Sequence, residues 1–106
     1  MATLAILGQS SPTLNTETYL YSGTTNWVAS SLVVCNRSNS AIAQFRVSIS
    51  KNGVATTNQD YIYYDLYLAT NDTFIATVGI CGGANDTVRV YSSTSNLSFS
   101  LYGQYN

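Results

Sequence analysis

Over residues 41–50 every second position is apolar: Ala41, Ala43, Phe45, Val47 and Ile49 fall on one side, Gln44, Arg46, Ser48 and Ser50 on the other. A two-residue period marks a strand with one buried face. The run closes on Lys51-Asn52-Gly53, where Asn-Gly supplies the positive φ angles of a tight hairpin turn. The same period returns at residues 73–80, with Phe74, Ala76, Val78 and Ile80 in phase, and at residues 97–102, with Leu97, Phe99 and Leu101 inward. Residues 60–69 alternate Tyr61, Tyr63, Asp65 and Tyr67 against Ile62, Tyr64, Leu66 and Leu68, which predicts an aliphatic core face and a tyrosine face turned elsewhere. Residues 27–35 are apolar on both sides, and residues 17–22 and 87–93 add two shorter runs.

Gly, Asn and Ser clusters separate these runs at the spacing of an all-β sandwich or barrel, and no stretch carries a helical period. The prediction is an antiparallel β-sandwich, jelly-roll or immunoglobulin-like, of seven to eight strands without a helix. Its expected core is Phe45, Val47, Ile49, Leu66, Phe74, Val78, Val88, Val90, Phe99 and Leu101. Residues 17–106 form the sandwich. Residues 1–16 read as an arm, because Ser10-Ser11-Pro12 separates the apolar Leu4, Ile6 and Leu7 from the rest. Such an arm lies either on its own domain as an edge strand or on a neighbouring subunit.

Composition narrows the function. The 106 residues include four Lys and Arg, five Asp and Glu, nine Tyr and no His, for a net charge of -1. Catalysis near neutral pH draws on His, tuned carboxylates, metals or activated thiols, so a non-enzymatic role is expected. No basic cluster is present to displace counterions from phosphates, which argues against nucleic acid as a partner. The apolar stretch 4–7 is too short and lacks the basic flank of an export signal, so synthesis in a cytoplasm and no membrane partner are expected. Cys35 and Cys81 sit in apolar runs and are expected as free thiols.

Several motifs reduce to turn chemistry. Asn71-Asp72-Thr73 and Asn85-Asp86-Thr87 each open a strand, and one carboxylate per loop falls short of the several that calcium gathers. Cys81-Gly82-Gly83-Ala84 lacks the Lys and following helix of a phosphate loop. The glycosylation triplets at Asn36, Asn71, Asn85 and Asn96 are expected as turns in a chain rich in Ser, Thr and Asn. No cofactor or metal is expected. The candidate interface is Leu4, Ile6 and Leu7 with Tyr61, Tyr63, Tyr67, Tyr91 and Tyr102. Tyrosines bring large area and a hydroxyl to protein interfaces, complete cores, or stack on sugars.

From Trp27 onward the chain resembles small virion structural proteins of tailed bacteriophages, including cyanophages. The residues concerned are Ser31-Leu32-Val33-Val34-Cys35-Asn36-Arg37-Ser38, Asp60-Tyr61-Ile62-Tyr63-Tyr64-Asp65, Ala69-Thr70-Asn71-Asp72-Thr73-Phe74 and the stretch from Asp86-Thr87-Val88-Arg89-Val90-Tyr91 to Leu97-Ser98-Phe99-Ser100-Leu101-Tyr102-Gly103. The resemblance implies a β-sandwich that coats or joins parts of a phage particle, as a capsid decoration (cement) protein or a tail, baseplate or fibre-attachment component. It implies a homo-oligomer, with a trimer expected, and the major capsid protein or a tail component as partner. A carbohydrate-binding module for host adsorption is the alternative of another class. The sequence stops soon after its last strand, which leads to the expectation of no fused fibre shaft.

Overall fold

Alternation of small polar with branched or aromatic residues yields eight strands among the described residues: β1 Thr3–Ser10, β2 Thr18–Ser22, β3 Trp27–Asn36, β4 Ala43–Ser50, β5 Tyr61–Leu68, β6 Thr73–Gly82, β7 Thr87–Ser92 and β8 Leu97–Tyr105. The computed structural model describes residues 2–106; Met1 and the side chain of Val78, one of the expected core residues, lie outside the described residues. Two single turns of 3-10 helix, Lys51–Gly53 and Asn58–Asp60, are the helical pieces among the described residues.

Strands pair antiparallel as β1 with β8, β2 with β7, β3 with β6 and β4 with β5. This nesting is that of one long hairpin. Contacts of β3 with β8 and of β4 with β7 roll it into two four-stranded sheets, β1-β8-β3-β6 and β2-β7-β4-β5. The result is the eight-stranded jelly roll, so of the two expected sandwich topologies the immunoglobulin-like one is set aside.

The core lies between the sheets. Phe45 is its centre, with ring centroids 5.4 Å from Phe74, 6.0 Å from Phe99 and 6.3 Å from Tyr63. Val47, Val88, Val90 and Leu101 are buried as expected, and Ile49, Leu66 and Phe74 pack against them half-buried. Leu20, Trp27, Leu32, Val34, Leu68 and Leu97 join them. At one end Trp27 stands edge-on to Tyr21 at 5.3 Å, bridging the two sheets. Gly82 makes room for it, since a Cβ there would lie 2.6 Å from the indole ring.

Three expectations change. Ile62 and Tyr64 are exposed, because β5 is irregular: Leu66 faces Phe45 and Tyr63 faces Val47, so Tyr64 and Asp65 together oppose Arg46. Asp65 takes φ 51° at this bulge, and the extra residue turns the following side chains to the other face. Ser48 and Ser50 are buried under the 51–60 connection, where Ser48 Oγ meets Thr56 Oγ1 at 3.2 Å and Arg89 donates to Ser50 Oγ at 2.8 Å. Asn52 and Gly53 do have positive φ, yet β5 begins only at Tyr61, so the expected tight hairpin is a longer connection. Residues 3–10 form edge strand β1 on β8 of the same sandwich, the first of the two placements open to the arm, which pairs their backbone groups on one side.

Candidate interaction surfaces

The outer face of the β2-β7-β4-β5 sheet is tyrosine-rich. Its centre is Arg46 on β4, whose guanidinium carbon lies 4.3 Å from the ring centroids of both Tyr64 and Tyr91. Arg46 Nε donates to Asp65 Oδ1 at 2.6 Å and Nη2 to Asp65 Oδ2 at 3.3 Å. The hydrogen bond to Asp65 raises the Arg46 pKa further above its ordinary value, so this cation is permanent. The bulge is what places Asp65 beside Arg46. Tyr61 meets Tyr64 edge-on at 4.9 Å, and the Tyr91 hydroxyl donates to Asn15 Oδ1 at 2.9 Å. Tyr67, 74% exposed, stands opposite Gln44, and exposed Tyr19 stands opposite Arg89.

The outer face of the other sheet mixes small polar residues with exposed aliphatic ones. Leu4 and Ile6 of β1 are 82% and 58% exposed, and Ile75 of β6 is 67% exposed, with Val28 of β3 and half-buried Tyr102 of β8 between them. Cross-strand register aligns Ile6 with Tyr102, Ser31 and Thr77, and Leu4 with Gln104, Val28 and Cys81.

The eight candidate interface residues therefore do not form one patch. Tyr61, Tyr67 and Tyr91 occupy one side of the sandwich; Leu4, Ile6 and Tyr102 occupy the other. Leu7 is the extra residue of a bulge in β1 and packs on the core. Tyr63 faces inward, 5.2 Å from Phe74. Sequence reasoning missed Tyr64, Tyr19 and Arg46; the charge of Arg46 among tyrosines was the available signal, but Tyr64 read as core.

Carboxylates have local partners. Asp60 accepts from Thr57 N and Oγ1 in a capping box. Asp72 accepts from Thr73 N at 2.8 Å. Asp86 accepts from Gly83 N at 2.9 Å and Asn52 N at 3.1 Å, and these two bonds, the former first, hold its pKa below the usual carboxylate range. The Asn71-Asp72 and Asn85-Asp86 loops are turns built on positive φ at Asn71 and Asn85.

A cleft of about 530 Å³ opens at the Trp27 end, lined by Asn26, Val28, Cys81, Gln104, Tyr105 and Asn106 among others. Its polar side chains are the amides of Asn26, Gln104 and Asn106, the Tyr105 phenol and the Cys81 thiol, all able to hydrogen-bond. The indole Nε1 of Trp27 is buried and has no acceptor among the described residues. Cys35 stands opposite Thr73 and Cys81 opposite Val28, which separates them by about 26 Å along β6 at ~3.3 Å per residue. Both thiols are free, far beyond disulfide reach of one another.

No protein-family model and no curated protein matches the chain in sequence. Solved structures similar to it include a chain of the T13 IBDV viral particle, at 14% identity and a TM-score of 0.49. The match covers 98% of this chain and 29% of that one, so the chain spans less than a third of its neighbour. A likeness at this level assigns neither family nor function.

Proposed function

We propose that the chain is a structural protein of a tailed-phage virion, made in the host cytoplasm and seated on the capsid as a decoration protein, in a small homo-oligomer of three copies. The role is mechanical rather than enzymatic. The observation that carries it is the pair of opposed outer faces: an aromatic one centred on Arg46, and one with exposed aliphatic side chains at its edges, Leu4 and Ile6 on β1 and Ile75 on β6. One face docks on a lattice while the other remains for neighbouring copies. Aromatic residues and Arg are enriched in protein interfaces and among their strongest contacts. Several modest contacts made at once by an oligomer lengthen residence through effective concentration. The resemblance to phage virion proteins supports the same reading.

Copy number tests it. Densitometry of purified particles against the major capsid protein is expected to give a ratio near one, whereas a ratio of a few per cent moves the protein to the tail, baseplate or fibre attachment. Tyr64→Ala and Tyr67→Ala are expected to lower occupancy without unfolding the domain. A sugar-binding role in adsorption is the second reading, favoured by the exposed ring of Tyr67 and by the amide-lined cleft. Specific glycan binding by the isolated domain would support it against decoration.

A further inference from the structure

The four edges of the two sheets differ in how open they are. An unpaired edge invites another strand unless it is short, bulged, charged or covered. Strand β2 has five residues and is bulged at Leu20. Strand β5 is bulged and carries the Asp65 ion pair. Strand β6 is ten residues long, uncharged, and pairs only with β3 among the described residues; residues 78 and 79 together oppose Ser30 in a bulge towards one end, and residues 73–77 pair in unbroken register. Strand β1 is divided. Its Gly8 end is tied to the second sheet, where a Cβ would lie 2.3 Å from Leu20 O, but Thr3 to Ile6 carries no charge and projects Leu4 and Ile6.

We propose that β6 of one copy takes the Thr3 to Ile6 half of β1 from a second copy, head to tail, continuing the sheet across the subunit boundary. Three observations point to this occupant. Strand direction alternates along β1-β8-β3-β6, so β1 of another copy enters beside β6 antiparallel, as every existing pair is. Both seam strands are uncharged. The most exposed aliphatic side chains of this sheet, Leu4, Ile6 and Ile75, lie on its outer face at its two opposite edges, so the seam brings them together. Pairing β6 with β6 about a two-fold axis would leave Leu4 and Ile6 bare. A heterologous contact leaves no open edge once the ring closes. The inference rests on the homo-oligomer of the proposed function and gives it its seam.

The experiment is the solution mass of the full chain by sedimentation velocity. The wild type is expected at three times the 11.5 kDa monomer mass. Leu4→Lys and Ile75→Lys change exposed positions and are expected to be monomers with unchanged circular dichroism. Mixing the two variants is expected to restore dimers, because one retains a sound β1 and the other a sound β6. A monomeric wild type, a Leu4→Lys chain that keeps the wild-type mass, or a mixture that stays monomeric overturns the seam. A monomer found on particles at a ratio near one overturns the seam and leaves decoration standing; a ring-forming chain absent from capsids does the reverse.

Discussion

Asn36 shows how much a single buried polar side chain can organise. It is 1% exposed, and its Nδ2 lies within hydrogen-bonding distance of the carbonyls of Ala41, Leu68 and Ala69, while its Oδ1 accepts from Ser38 N. The end of β3, the 38–41 turn and the end of β5 are thereby pinned at one point. Asn36→Ala leaves those groups buried without their partner and is expected to cost about 3 kcal/mol, read from the urea midpoint. In the sequence Asn36 was a turn residue in a glycosylation triplet, because its carbonyl partners lie up to 33 residues away and leave no local mark. Phe45 was legible from its phase alone. Phe45→Ala is expected to lose about 3–5 kcal/mol through lost burial and a cavity. Tyr67→Ala should stay within about 0.5 kcal/mol of wild type, since its side chain is exposed. Equal losses for Phe45 and Tyr67 would contradict the face assignment.

At the scale of the strand, period-two reading succeeds where pairing runs unbroken and fails where a bulge intervenes. The inward set of β8 followed directly from alternation, as did Phe74 and Ile80 of β6. In β5 the phase was lost at Tyr64 and Asp65, because nothing in a run of alternating aromatic and aliphatic residues announces an extra one. Asp65 tolerates its positive φ better than a β-branched or plain alkyl residue does. Asp65→Ala is expected to lower stability by about 1–2 kcal/mol, with Asp65→Gly losing less because the backbone strain is relieved. Thermal melts followed by circular dichroism distinguish the two. A second link joins the 51–53 turn to the 83–86 loop through Asp86. Its folded pKa lies below the ordinary 3.8, so its contribution is complete above that value and is lost as pH falls through the folded one. Asp86→Asn is expected to flatten the acid limb of a stability-versus-pH curve by lowering stability near neutral pH, while leaving stability below the folded pKa comparatively unchanged.

For the whole molecule, the sandwich was legible, but the choice between its jelly-roll and immunoglobulin-like topologies was not. Strand count and spacing follow from local pattern, whereas nesting β1 on β8 and β2 on β7 is decided by partners at opposite ends of the chain. So non-local a topology predicts slow folding, in the millisecond to second range of all-β domains. The separation of Cys35 and Cys81 predicts two alkylated thiols under non-reducing denaturing conditions, with Cys81 the faster in the native protein because it is exposed. A single label at most would contradict the strand register. The chain contains one Trp, and the fold puts it to use as an optical gauge. Trp27 is sealed between Tyr21 of one sheet and Gly82 at the end of β6 in the other. Its emission should therefore be blue-shifted in the native state, fed by energy transfer from surrounding tyrosines, and should redden when the two sheets part. The same signal, recorded as copies associate, reports whether events along β6 reach the end of the sandwich.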